Sequence, residues 1–309
     1  MKKILRNIEV CKLVSGHNLS LTIHEVTDNR PGPTLGLSST IHGTTDLGIE
    51  IFRRFSLELE NFNFKGKVVM LPVANPLALG SFTIRTPIDM NDLMHCFPGS
   101  EQGEVSDQIA DAIVREYTSQ GDYFIDFCSG GVCLTEDFML TYPSSEELGK
   151  MTGWKYILMI ANRPGTITEY LGTQNKPMVA VECGGSSQNN EYYIQRGLTS
   201  IKNTMKYLKM IDGKPDIPEK QFLVEEVVFI KAKNGGIFRP SFSLDSMHSI
   251  VKKSDLLGTT YSPYTFEEIE RFYGPFNKNL IMGLKTEISR IEDGDYMFIL
   301  GNGETLKQL

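Results

Sequence analysis

The sequence predicts an α/β sheet flanked by helices and followed by a small β domain. Three observations carry this reading. Short apolar runs alternate with helical patterns through the first two-thirds of the chain, and those runs are flanked by Gly, Pro or Asn. After about residue 220 the texture changes to short apolar runs cut by tight turns.

Residues 34–41, 67–73, 123–128 and 178–183 read as strands, and such continuous apolar runs suit strands covered by helices on both faces. Leu47, Ile51, Phe55 and Leu59 recur every fourth residue, which predicts a helix. Thr44 and Thr45 can cap it, and Asp46 sits where a helix start favours a carboxylate. Val105, Ile109, Ile113 and Tyr117 predict a second helix, and Ile194, Leu198, Ile201, Met205 and Leu208 a third. The stretch Asp212-Gly213-Lys214-Pro215-Asp216-Ile217-Pro218 then breaks the pattern. It divides the chain into an α/β domain over 1–220 and a small β domain over 221–309. Turns at Asn234-Gly235-Gly236, Gly274-Pro275 and Asp293-Gly294-Asp295 punctuate the second part, whose one helical pattern covers residues 265–273. Trp154 and the aromatic-rich residues 261–273 are expected to pack the two parts together, with Tyr261 or Tyr264 as candidates to reach the cleft.

The 309 residues carry 31 Lys+Arg against 38 Asp+Glu, a net charge of −7, with 40% hydrophobic residues. That balance is ordinary for a globular chain. An acidic chain with scattered lysines lacks the clustered positive charge that meets nucleic-acid phosphates. No apolar run reaches the roughly 18 to 20 residues that cross a bilayer. The N-terminal segment breaks into Arg6, Asn7 and Glu9 before any signal-peptide core forms. The cysteines, at 11, 96, 128, 133 and 183, are odd in number and not spaced as a disulfide framework, so reduced thiols and a cytoplasmic setting are expected. The expected partner is a small-molecule substrate, with neither nucleic acid nor membrane, and self-association is left open.

Open α/β sheets bind ligands at the carboxyl ends of their strands. Four such ends carry His42-Gly43-Thr44-Thr45-Asp46, Asn75-Pro76, Cys128-Ser129-Gly130-Gly131 and Glu182-Cys183-Gly184-Gly185. A lone His at such a place is usually a satisfied structural group, and a lone Cys usually packs as a small hydrophobe. Glu182 resists the bland reading. A carboxylate closing the run Met178-Val179-Ala180-Val181 sits in low dielectric, where it needs a partner or a raised pKa, the setting of a general acid or base.

The line Ile41-His42-Gly43-Thr44-Thr45-Asp46-Leu47-Gly48-Ile49-Glu50 resembles the metal-binding segment of the succinylglutamate desuccinylase/aspartoacylase family, zinc-dependent deacylases related to zinc carboxypeptidases. The resemblance continues through Asn75-Pro76-Leu77-Ala78, Arg85, Asp92-Leu93-Met94-His95-Cys96-Phe97-Pro98-Gly99, Ile125-Asp126-Phe127-Cys128 and Val181-Glu182-Cys183-Gly184-Gly185. Gly235-Gly236-Ile237-Phe238-Arg239-Pro240, Leu256-Leu257-Gly258 and Asp293-Gly294-Asp295 resemble the family's small C-terminal β domain. It implies a zinc-carboxypeptidase-like mixed sheet and hydrolysis of the amide C–N bond of a small N-acyl amino acid-like substrate. Glu182 is then the catalytic base and Arg85 the arginine at the scissile carbonyl.

The family binds zinc through a His, a Glu three residues later and a second His, leaving one position open for water. His42 matches the first ligand, but Thr45 stands in place of the Glu and Cys128 in place of the second His. Thiolate is a good zinc donor, with a bond of about 2.3 Å, whereas a neutral hydroxyl is a poor one. His95 or Asp46 is the candidate third ligand beside His42 and Cys128, although Asp46 would be rotated by about 100° from Thr45 on a helix. Met94-His95 replaces the Asn-Arg pair that grips the substrate carboxylate, and an imidazole does not replace a bidentate clamp. Asn75, His95 and Arg163 are the candidate substrate-binding residues, Arg163 as a replacement cation.

Three readings follow. The first is an amide hydrolase with a rebuilt zinc site. The second is a metal-free binding or regulatory protein on the deacylase scaffold. The third makes Cys128 a nucleophile, with His42 or His95 as base, Arg85 lowering the thiol pKa and the Gly130-Gly131 turn donating to an oxyanion.

Overall fold

The computed structural model describes residues 1–61, 63–132, 134–160, 164–185 and 190–309. A long hairpin, β1 (Lys2–Lys12) and β2 (Asn18–Thr27), opens the chain. Then come β3 (Thr34–Ser39), α1 (Leu47–Glu58), β4 (Lys67–Leu71), α2 (Pro76–Ser81), α3 (Val105–Ile113) and β5 (Tyr123–Cys128). β6 (Thr135–Thr141), α4 (Glu146–Met151), β7 (Tyr156–Met159), α5 (Ile167–Thr173), β8 (Met178–Gly184) and α6 (Asn190–Tyr207) complete the α/β part. All four expected strands and all three expected helices are present.

The sheet runs β1-β2-β4-β3-β5-β8-β6. Its centre is parallel, β4 to β3 to β5 to β8, with β6 returning antiparallel against β8. Helices cover both faces, which is why the central strands are mostly apolar, with polar groups such as Ser38, Asp126 and Glu182 toward their carboxyl ends. On one face Ile51, Phe52, Phe55 and Leu59 pack with Leu198, Ile201 and Met205 of α6 over Phe127 and Val181. On the other, Ile109, Ile113, Ile167 and Leu171 meet Val69, Leu71 and Phe124. Each such side chain contributes about 1.5–3 kcal/mol of burial. Gly48 lets α1 come close to the sheet, since a Cβ there would lie 2.4 Å from the Cβ of Ser39.

The remaining strands are β9 (Phe222–Val224), β10 (Val227–Lys231), β11 (Gly236–Pro240), β12 (Ile250–Lys252), β13 (Leu256–Tyr261), β14 (Glu268–Tyr273), β15 (Lys278–Leu284), β16 (Ser289–Ile291), β17 (Tyr296–Asn302) and β18 (Lys307–Gln308). Four of them form a separate sheet ordered β14-β13-β11-β16. The others extend the large sheet: β15 pairs with β6, β17 follows β15, and β10 lies outermost. β9 pairs with β7, so backbone hydrogen bonds cross the expected boundary near residue 220. This continuity brings β10 and β17 alongside the ends of β6 and β8.

Two expectations are corrected. The helical pattern over residues 265–273 is strand β14, paired with β13. Its buried Phe272 stacks edge-on against Phe238, and so few residues cannot repay the cost of helix nucleation. Trp154 packs inside the α/β core, its indole N–H 3.3 Å from Ser200 Oγ and the Arg196 guanidinium 4.1 Å from its ring, rather than between the two parts.

A candidate active site at the strand ends

Register fixes the site. Cys128 is the lateral partner of Glu182 on β5 and β8, Asp126 of Ala180, and Phe138 of β6 is the antiparallel partner of Glu182. Lateral partners and alternate residues share a face. Asp126, Cys128, Ala180, Glu182, Glu136 and Phe138 therefore form one wall, while Phe127, Val181 and Met139 point into the core behind it. The loop after β3 adds His42, Thr44 and Thr45, and the turn Leu93–His95 adds Asp92, Met94 and His95. Cys128, Glu182, Glu136, Phe138 and these loop residues enclose a cavity of about 280 Å³, closed from the C-terminal side by Phe229, Tyr296 and Ile299, while Asp126 and Ala180 line a smaller recess beside it.

His42 Nε2 lies 2.8 Å from Asp92 Oδ1, and the same oxygen accepts the Met94 N–H at 3.0 Å, capping the short turn. Desolvation opposes the Asp92 charge, but the His42 hydrogen bond and charge outweigh it and hold the carboxyl below its usual range. Thr45 is buried and its hydroxyl donates to the His42 carbonyl at 2.8 Å. Only glycine fits at position 43, where a Cβ would fall 1.9 Å from the Ala78 carbonyl oxygen. The His42 loop is thereby clamped onto α2.

The Cys128 thiol donates to Asp126 Oδ2 at 3.1 Å, and Asp126 Oδ1 accepts from Ser38 Oγ at 2.6 Å. Desolvation, and then the carboxylates of Asp126, Glu182 and Glu136, push the thiol well above the ordinary cysteine range. Burial also raises Asp126, against the hydrogen bonds from Ser38 and Cys128. A nucleophilic cysteine needs the opposite surroundings, a nearby cation that favours thiolate. Arg85 does not supply one: it is exposed, its guanidinium donates to the Met90 carbonyl at 2.9 Å, and it does not line the cavity. The Gly130 and Gly131 N–H groups are also committed, to the Gly184 carbonyl (3.2 Å) and to Ser129 Oγ (3.3 Å).

Of the residues singled out in the sequence, His42, His95, Cys128 and Glu182 line one cavity. Asp46 borders a separate groove with Ser129 and Val132. Asn75 is fully buried and structural, its Oδ1 capping α2 at Ala78 N and its Nδ2 donating to Thr86 Oγ1. Tyr264 is 89% exposed, and neither it nor Tyr261 lines the cavity. Arg163 and Cys133 lie outside the described residues. Sequence reasoning missed Asp92 as the partner of His42, and Glu136, Phe229 and Tyr296 as wall residues. The alternation Glu136, Phe138, Leu140 on β6 was the available signal for the first of these wall groups.

The side chains at the three positions that the resemblance assigns to zinc are an imidazole, a hydroxyl and a thiol. The Thr45 proton is spent on a backbone carbonyl and the Cys128 thiol is surrounded by carboxylates. Among the described residues no three His, Cys, Asp or Glu side chains are arranged to hold a metal ion. This donor set does not fit a three-ligand zinc site.

Comparisons with known proteins give the family and the fold. Residues 31–208 match the model of the succinylglutamate desuccinylase/aspartoacylase catalytic domain. N-alpha-acetyl-L-2,4-diaminobutyric acid deacetylase of Halomonas elongata is 25% identical over 203 residues, covering 61% of this chain and 58% of that relative. The chain thus spans well under two-thirds of that relative's length. A succinylglutamate desuccinylase/aspartoacylase from Rhodobacter sphaeroides superposes with a TM-score of 0.83 at 20% identity, over 97% of this chain and 95% of that one. The product-bound ectoine utilization protein EutE (DoeB) from Ruegeria pomeroyi gives a TM-score of 0.85 at 18% identity, over 97% and 95%. Among the described residues no helix is long and apolar enough to cross a membrane.

Proposed function

The chain belongs to the succinylglutamate desuccinylase/aspartoacylase family, and from that premise we propose that it hydrolyses a small N-acyl amide in the cavity where β5 and β8 end. The observation that supports this most is the place of Glu182, half-buried on the cavity wall beside Cys128. There Glu182 takes a proton from the attacking water and hands it to the departing amine, the two proton transfers that amide cleavage requires. The Nε2–H of His42 is spent on Asp92, so His95 at the mouth is the imidazole available to donate to the carbonyl oxygen as negative charge develops on it. Because the donors at His42, Thr45 and Cys128 do not fit a zinc triad, these steps use protein groups alone.

The Halomonas elongata relative is named a deacetylase, so N-acetyl compounds are the first substrates to assay. The test is release of free amine from a panel of N-acetyl and N-succinyl amines and amino acids, with wild type and Glu182→Gln side by side. Turnover that disappears in the variant supports the reading, and turnover unchanged in Glu182→Gln overturns it. One observation favours a second reading, ligand binding without turnover: hydroxyl and thiol replace two of the charged or imidazole donors the family uses. Saturable binding of panel members with no amine released selects that reading.

A further inference from the structure

A second groove, of about 360 Å³, lies between α6, residues 152–154 and residues 216–218. It is behind the sheet. Asp137 alternates with the cavity-lining Glu136 and Phe138, so its carboxylate turns to the opposite face, toward α6. There it meets Arg196, which lines the groove. The Arg196 guanidinium stands 4.1 Å over the buried Trp154 ring, its Nη2 is 3.2 Å from Asp137 Oδ1, and its Nη1 donates to Tyr192 Oη at 2.8 Å. Three contacts fix the group, yet the side chain is 25% exposed. A guanidinium carries five N–H donors, so the fork keeps donors for a ligand, and Tyr192, accepting here, keeps its own hydroxyl proton to give.

The other end is acidic. Asp216 is exposed in the groove, its N–H donating to Asn203 Oδ1 at 2.8 Å and its carbonyl accepting from Asn203 Nδ2 at 2.7 Å. Asn203 lies seven residues beyond Arg196 on α6, about 10 Å of helix rise, which sets the two charged ends apart. Ile217, 40% exposed, Pro218 and the 44% exposed Tyr192 ring supply apolar surface. Thr152 and Thr199 also line the groove, each hydroxyl already donating to a backbone carbonyl, of Gly149 and Gln195. Exposed apolar groups gathered around fixed charges mark surface that a ligand covers.

We propose that this groove is a second ligand site, taking a basic amino acid of the length of lysine. The α-carboxylate accepts from Arg196 and Tyr192, the methylenes lie along Ile217 and Pro218, and the side-chain ammonium pairs with Asp216. Six bonds of about 1.5 Å separate the carboxylate carbon of lysine from its Nζ, and a hydrogen bond of about 2.9 Å at each end completes the span. The charges agree: Asp137 balances Arg196, Asp216 adds a negative charge, and a basic amino acid is a net cation. A chain without the ammonium forfeits the ion pair at Asp216. One without the carboxylate forfeits the charge-assisted bonds at Arg196.

Three compounds dissect the two ends: L-lysine, L-norleucine, which lacks the side-chain ammonium, and 1,5-diaminopentane, which lacks the carboxylate. Calorimetric titration of the full chain is expected to show L-lysine binding at least about tenfold more tightly than either analogue. Asp216→Asn should weaken L-lysine about tenfold and leave L-norleucine unchanged. Tyr192→Phe should weaken both amino acids and leave 1,5-diaminopentane unchanged. Both substitutions fall on exposed side chains, and melting temperatures matching wild type show that each variant is folded. No binding of L-lysine, or an analogue that binds as tightly, overturns the inference. So does L-lysine binding that is indifferent to both substitutions, the result that binding in the cavity beside Glu182 would give. The readout is binding alone, so its failure leaves the proposed hydrolysis untouched.

Discussion

Cys128 and Glu182 stand side by side across the parallel strands β5 and β8, on the face of the sheet that lines the cavity. A single register therefore places a thiol, a carboxylate and, two residues below the thiol, the Asp126 carboxyl that accepts its hydrogen bond. The arrangement is acidic and keeps the Cys128 thiol protonated; in the proposed reaction its neighbour Glu182 is the base.

Replacing Glu182 by Gln keeps the shape and removes the base. kcat/KM is expected to fall by about 10²–10⁴-fold, the usual contribution of a positioned general base. The melting temperature should change little. Steady-state amine release checks it, and a variant within twofold of wild type contradicts the assignment.

The Cys128 thiol should be inert. Desolvation and three neighbouring carboxylates disfavour thiolate, so alkylation by iodoacetamide at neutral pH should be at least about tenfold slower than in denatured protein. Peptide mass mapping of the modified site reads this directly. Cys128→Ser and Arg85→Ala should both retain activity, Arg85 because it bonds the Met90 carbonyl outside the cavity. Fast labelling of Cys128 that abolishes turnover would revive a cysteine nucleophile.

The family's zinc site should be recoverable by substitution. Thr45→Glu with Cys128→His restores a carboxylate and an imidazole beside His42, whose Nε2 is already held by Asp92 in the manner of a metal-ligating histidine. The double variant should bind zinc and gain about 2.7 kcal/mol of stability at a free zinc concentration of about 100 times Kd. Wild type should gain none. An equal rise in melting temperature for wild type contradicts the donor-set argument.

His248 makes stability depend on pH. It reaches from the C-terminal part to donate Nε2–H to the Asp137 carbonyl at 2.7 Å, with Tyr156 4.5 Å from its ring. Desolvation lowers its pKa below the ordinary 6.5, against the opposing charge of Asp137, with Arg196 and Lys155 adding to the lowering. The unfolded chain therefore takes up the proton first as pH falls. Its stabilising contribution is complete above pH 6.5 and is lost below it, at no more than about 1.4 kcal/mol per pH unit for one proton. His24, lowered by burial, acts in the same direction, while the raised carboxyls of Asp126 and Asp137 act in the opposite one. Denaturant titrations between pH 7.5 and 5.5 should show a shallower decline for His248→Gln, which keeps an N–H donor. An unchanged slope would contradict the assignment.

The strands and long helices were legible because their apolar spacing answers to burial on both faces, as with Ile51, Phe55 and Leu59 under α6. β14 was not, because Phe272 packs through tertiary contact and its spacing mimics one turn of helix. Within the site, Glu182 announced itself as a carboxylate ending an apolar strand. Asp92 did not, since its tie to His42 spans 50 positions of sequence and depends on where the turn lands. Asn75 looked functional from its place after a strand, but a buried amide at a helix start serves the helix first. Phe229 and Tyr296 reach the cavity only because β10 and β17 extend the large sheet, a pairing invisible in either strand alone.

The most direct test of the central claim is amine release measured on the same untagged preparation whose zinc has been counted by elemental mass spectrometry. Glu182-dependent turnover with far less than one zinc per chain, unaltered by a chelator, is the predicted result. About one zinc per chain, with turnover lost on chelation and restored by zinc, would contradict it and return His42 and Cys128 to the role of metal ligands.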